Sequence, residues 1–347
     1  MKKIMIWILA IIILLVVIPL SYIHLAYGDV DRELRVRGFI YDKFNSANDV
    51  ESLRKSSESE KIPKVKTDKD VRVEKKTIQT RTGKEVKVII YRSAKEEKTD
   101  ENRIPGFLWL HGGGYAKGSP EAEFDQAKEF LQTAHSVIIS PDYTKSVEEP
   151  YPVALHDTYE TLIWMKEHAD DLGINKDQLF VGGSSAGGGL AVATTLYARD
   201  HHEVNIAYQF PLYPMMNDQM NTPSAIDNHA FIWDTDRSIA AWKLYLGDIY
   251  GTDQVPTYAA PSREKDYSNL PPTFTYIGDL DPFYDDTINY VKDLRDEGVD
   301  VEFYTYKGAY HGFVGVAPKA KISKEAQAEL LKAYKYAVEH CFAEQDS

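Results

Sequence analysis

From Ile104 onward, short apolar runs alternate with longer stretches of helical spacing. Phe107 to Leu110, Val137 to Ser140, Gln178 to Val181, Ile206 to Phe210, Thr273 to Ile277 and Val301 to Tyr306 read as strands. Between them, Ala122 to Ala134, Val153 to His168, Ala186 to Arg199, Asp285 to Glu297 and Ser323 to Glu339 read as helices. In the second of these the apolar set is Leu155, Tyr159, Leu162, Ile163 and Met165. Short apolar strands alternating with helices predict an α/β fold, a mostly parallel central sheet with helices on both faces. Upstream, Val71 to Gln79 and Glu85 to Tyr91 flank Thr82-Gly83, and Val86, Val88 and Ile90 alternate with polar positions, a hairpin pattern. The stretch from Leu212 to Leu270 breaks the rhythm with prolines and with Phe231, Trp233, Trp242 and Tyr245. It predicts a cap inserted at about 212–270 into a catalytic domain spanning 71–345. One amphipathic helix fits Asp236 to Leu246, with Asp234 or Asp236 to cap it and Gly247 to end it.

The amino terminus follows another pattern. Met1-Lys2-Lys3 precedes an apolar run from Ile4 to Leu20, broken only by Pro19. It is long enough to cross a bilayer, which takes roughly 17–25 residues. Residues 1–28 are therefore expected to be a transmembrane anchor, or a signal segment if cleavage follows Leu25-Ala26-Tyr27-Gly28, although Tyr27 and Gly28 make a poor cleavage site. Either reading places the catalytic domain outside the cytoplasmic membrane, anchored or secreted. Residues 29–70, with mixed charge and serines, are expected to form a stalk or part of the cap, with short helices around Tyr41 to Lys55.

Charge and composition narrow the function. The 347 residues carry a formal charge of −13, which argues against nucleic acid as a partner. One cysteine, Cys341, excludes an internal disulfide and a cysteine-based metal cluster. His201-His202-Glu203 lacks the spacing of a single metal-binding helix face, and no cofactor or metal is implied.

The chemistry concentrates in Phe180-Val181-Gly182-Gly183-Ser184-Ser185-Ala186-Gly187, a strand that turns on a serine into a helix. Gly183 to Gly187 fits the G-x-S-x-G elbow and puts Ser185 at the tip. Small residues two positions either side allow the tight turn. A nucleophilic serine needs a base, and the base needs a carboxylate to fix its tautomer. Asp281 follows the strand Thr273 to Ile277, and His311 follows Val301 to Tyr306, so all three stand at the carboxyl edge of the sheet. Asp279, Asp285 and Asp286 compete with Asp281 for this role. His111-Gly112-Gly113-Gly114 ends the strand Phe107 to Leu110 and offers side-chain-free amides. Gly112, Gly113 and Ala186 are the expected oxyanion donors, each of a kind worth about 3–4 kcal/mol to a transition state. His111, Gly114 and Ser184 are expected to support the loops.

With these motifs, and with Pro141-Asp142-Tyr143 through Tyr151-Pro152 to Asp157, Leu270-Pro271-Pro272, Asp281-Pro282 and His311-Gly312-Phe313, the chain from about Pro105 to Ala337 resembles the hormone-sensitive-lipase-like branch of the α/β-hydrolases. The resemblance implies the triad Ser185, Asp281 and His311, a cap, and hydrolysis of carboxylic esters, often with short acyl chains. It gives a small-molecule ester as substrate. The same triad would serve a surface carbohydrate deacetylase or a peptidase, and a retired fold would leave a membrane-anchored binding protein. Two departures stand out. The family often has an acidic residue where this chain has Ser184, and an arginine where it has Thr144.

Overall fold

In the computed structural model the described residues are 7, 18–44, 47–95 and 104–345. The apolar run from Ile4 to Leu20 lies mostly outside them. Among the described residues no helix is long and apolar enough to cross a membrane.

Eight strands form one sheet: β1 (Val71–Gln79), β2 (Glu85–Ser93), β3 (Ile104–Leu110), β4 (Val137–Pro141), β5 (Ile174–Ser184), β6 (Tyr208–Leu212), β7 (Thr273–Gly278) and β8 (Val301–Tyr306). Their order is β1-β2-β4-β3-β5-β6-β7-β8. The β1–β2 hairpin pairs antiparallel and joins β4 antiparallel, whereas β3 to β8 run parallel. The carboxyl ends of β3, β5, β7 and β8 thus share one edge, where the loops that carry the chemistry emerge.

Among the described residues the longer helices are α1 (Ile18–Ala26), α2 (Arg35–Lys43), α3 (Val50–Glu58), α4 (Phe124–Thr133), α5 (Val153–Glu167), α6 (Ala186–His201), α7 (Thr235–Leu246), α8 (Tyr284–Asp296) and α9 (Lys321–His340), with single turns at Ala169–Leu172 and Phe313–Val316. Alternation along β3 sorts the core into two layers, as a period-two strand must. Leu108 and Leu110 pack with Leu155 and Leu162 of α5 and Leu190 of α6. Phe107 and Trp109 pack with Phe130 of α4 and Tyr334 of α9. Phe107 is the hub of that second layer: its ring centroid lies 5.0 Å from Phe130, 5.3 Å from Phe210 and 5.4 Å from Tyr334.

Two element boundaries differ from the pattern reading for local reasons. The helix expected from Ala122 begins as a 3-10 turn, Pro120–Glu123, and becomes α-helical only at Phe124. Strand β6 lies two residues later than its apolar run, because Leu212 is paired with Ser184 and its carbonyl receives the Ser185 amide at 2.9 Å. Asp234 rather than Asp236 caps α7, accepting from the Arg237 amide at 2.8 Å.

Residues 29–70 lie against the body of the protein. The Asp31 amide donates to Gly308 O at 2.8 Å, and Gly38 of α2 packs against Phe231 and Tyr310. Arg237 of α7 is buried and pairs with Asp42 of α2 at 3.1 Å and with Asp234 at 3.0 Å. The amino-terminal helices and the insertion after β6 therefore make one covering layer over the carboxyl edge of the sheet.

Candidate active site

Ser185 sits where β5 stops and α6 starts, with φ 57° and ψ −120°. A non-glycine residue in this conformation is strained by about 1–3 kcal/mol and persists only where its surroundings hold it. The holding bonds are the Ser185 amide to Leu212 O, and Ser185 O accepting from the amides of Gly189 and Met215 at 2.9 and 3.0 Å. The turn closes because Gly183 and Gly187 carry no side chain. A Cβ on Gly187 would stand 2.2 Å from Leu110 O, and one on Gly183 would stand 2.6 Å from the same oxygen.

His311 follows β8, and its Nε2 lies 2.7 Å from Ser185 Oγ. Its Nδ1 lies 2.6 Å from Asp281 Oδ2. A carboxylate only accepts, so Nδ1 carries the proton and the neutral ring presents Nε2 as acceptor to the serine hydroxyl. Asp281 is held in turn by the Phe283 amide, which donates to its other oxygen at 2.9 Å. All three residues are buried, Ser185 at 7% exposure, His311 at 4% and Asp281 at 1%.

The competing carboxylates have other partners. Asp279 accepts from the Gly308 amide, Asp285 from the Ser224 amide and Asp286 from Asn217 Nδ2. The Asp286 carboxyl is pushed up to about 6 by burial.

The His111-to-Gly114 loop lies directly against the elbow: a Cβ on Gly112 would stand 3.4 Å from Ser185 Cβ. Gly113 has φ +119°, and its Cβ would meet Lys117 O at 2.3 Å, so only glycine fits there. Ala186 opens α6, and its amide belongs to the first turn, which has no intrahelical acceptor. His111 supports this loop. It stacks on Tyr143 with ring centroids 4.1 Å apart, its Nδ1 bonds to Gly112 O at 2.9 Å, and its carbonyl accepts from the Tyr143 hydroxyl at 2.8 Å. Burial holds its imidazole down to about 4, so it stays neutral. Gly114 packs against the edge of Trp233.

Two neighbours, Tyr213 and Phe283, were not legible as site residues, whereas Trp233 stands in the aromatic segment expected to form the cap. Tyr213, Phe283 and Trp233 surround the His311 ring at 5.1, 5.2 and 6.1 Å. Trp242, which shares an aromatic-rich segment with Trp233, is fully buried in the core. At Thr144, where the resemblance gives arginine, Lys84 from the β1–β2 turn supplies the cation. Asp157 accepts from Lys84 Nζ at 2.7 Å and from Thr144 Oγ1 at 2.7 Å. This cluster fixes the segment carrying Tyr143, and through it His111. A turn lysine has no local sequence signature for such a role. Glu203, away from the site, pairs with Arg81 and accepts from the Tyr159 hydroxyl at 3.0 Å.

A buried strand–serine–helix elbow with a histidine and an aspartate from later strands defines the hydrolase class. The profile of the alpha/beta hydrolase fold matches residues 107–315. Esterase LipI of Mycobacterium tuberculosis is 31% identical over 228 residues, 65% of this chain and 71% of that protein. Carboxylesterase NlhH of the same species is 31% identical over 240 residues, 68% of this chain and 75% of that protein. Among solved structures, a bacterial heroin esterase superposes with a TM-score of 0.79 at 28% identity, covering 90% of this chain and 99% of that one. The chain belongs to the α/β-hydrolase fold family, in its hormone-sensitive-lipase-like branch.

Proposed function

We propose that this carboxylesterase-like hydrolase cleaves small carboxylic esters by a two-step acyl transfer on Ser185. The observation that carries the reading is His311, bridging Ser185 Oγ and Asp281 Oδ2 at 2.7 and 2.6 Å. His311 Nε2 takes the hydroxyl proton as Ser185 Oγ attacks the ester carbonyl. Asp281 keeps Nδ1 protonated and stabilises the imidazolium that forms. The amides of Gly112, Gly113 and Ala186 receive the tetrahedral oxygen. His311 then gives its proton to the departing alcohol, and water repeats the sequence on the acyl-enzyme. The rings of Tyr213, Phe283 and Trp233 stand 5.1, 5.2 and 6.1 Å from the His311 ring, an apolar surround for the reacting ester.

The test compares p-nitrophenyl acetate turnover by the wild type and S185A. The expected kcat falls by roughly 10⁴-fold or more, and equal rates would overturn the assignment. The amino-terminal run supports a further part of the proposal, that the enzyme is membrane-anchored with its catalytic domain on the extracytoplasmic side.

A further inference from the structure

A cavity of about 570 Å³ lies beside the triad, between α4 and α9. Ser184 and Tyr213 form its end nearest the triad: Ser184 precedes the nucleophile, and the Tyr213 ring stands 5.1 Å from His311. Glu123, from the 3-10 turn before α4, also lines this space. It accepts one hydrogen bond, from Trp109 Nε1–H at 2.6 Å, and among the described residues no cation pairs with it. A part-buried carboxyl with a single partner has lone pairs free for a donor that enters the cavity. The Glu123 carboxyl is pushed up to about 7 by desolvation. Gln126 and Gln327, on the same walls, bond to each other at 3.2 Å. The cavity is thus lined by Trp109, Tyr213 and Tyr276 together with the Glu123 carboxyl.

Resting on the esterase reading above, we propose that this cavity receives a hydroxyl-bearing arm of the ester, with Glu123 as the residue that selects it. A hydroxyl donates, which matches a wall carrying a carboxyl with a single hydrogen-bond partner. A plain alkyl arm would offer that carboxyl no donor. The Ser184 position contributes directly. An acidic side chain there would place a second carboxyl at the inner end, whereas the serine hydroxyl leaves room and a further donor.

The experiment measures kcat/KM for two substrate pairs. p-Nitrophenyl butanoate against p-nitrophenyl 3-hydroxybutanoate varies the acyl arm, and propyl acetate against 2-hydroxyethyl acetate varies the alcohol arm. The wild type is expected to favour the hydroxylated member of at least one pair by roughly tenfold, the value of one good hydrogen bond. A preference in the first pair places the acyl arm in the cavity, and one in the second pair places the alcohol arm there. Both E123L, which removes the carboxyl, and A328F, which fills the cavity from α9, are expected to abolish it. A wild type that hydrolyses p-nitrophenyl acetate but shows no preference in either pair would overturn this proposal alone. A preference that survives in either folded variant would also overturn it. A wild type that hydrolyses no ester would instead overturn the underlying esterase reading.

Discussion

At the scale of single residues, the site works through groups whose protonation is set by their surroundings. Asp281 accepts from His311 and from the Phe283 amide. D281N would leave the imidazole in the wrong tautomer, and kcat is expected to fall by roughly 10⁴-fold with the fold intact by circular dichroism. An unchanged kcat would contradict the assigned role. Glu123 titrates in the opposite sense from most carboxylates. Its folded-state value of about 7 lies above the ordinary 4.5, so its contribution to stability is complete below 4.5 and is lost as pH rises through about 7. The melting temperature of E123Q minus that of the wild type is therefore expected to grow from pH 5 to pH 8, and a constant difference would contradict this. His111 behaves conversely. Its folded value of about 4 lies below 6.5, so stability present above 6.5 is lost as pH falls through 4. Its imidazole should read as neutral by NMR at pH 5.5. Ser185, Asp281 and His311 were legible because each stands in a loop after a short apolar strand. Glu123 and Lys84 were not, since one looks like any helix-start acid and the other like any turn lysine.

At the scale of elements, what matters is how closely the oxyanion loop, the elbow and the segment after β4 approach each other. A Cβ on Gly187 would sit 2.2 Å from Leu110 O, and Gly28, by contrast, has its nearest such neighbour at 4.0 Å. G187A is therefore expected to cost more than the about 1–3 kcal/mol of ordinary overpacking, whereas G28A should be near neutral. Chemical denaturation of both variants checks the contrast. The order of strands and helices from β3 to β8 followed from periodicity alone. The ends of β5 and β6 did not, because Ile174 pairs with Ile104 and Leu212 with Ser184 through contacts far apart in sequence. The Lys84–Asp157–Thr144 cluster is of the same long-range kind. K84M is expected to lower stability by about 1–3 kcal/mol, an effect that D157N should remove in a double-mutant cycle.

At the scale of the whole molecule, the cap is assembled from two stretches distant in sequence, residues 29–58 and the insertion after β6, tied by Arg237 to Asp42 and by Gly38 against Phe231 and Tyr310. Tyr310 adjoins His311, so the covering layer bears directly on the triad. The proposed anchor precedes that layer. The full chain is expected in the membrane fraction after a carbonate wash, and a chain beginning at Asp29 in the soluble fraction. A full chain that is soluble would contradict the anchor. The central claim, an acyl-enzyme on Ser185, is tested most directly by mass spectrometry of the protein after brief reaction with p-nitrophenyl acetate or with a fluorophosphonate. One adduct is expected, on the peptide containing Ser185, and it is expected to be absent from S185A. An adduct on another residue in active enzyme, or one that persists in S185A, would contradict it.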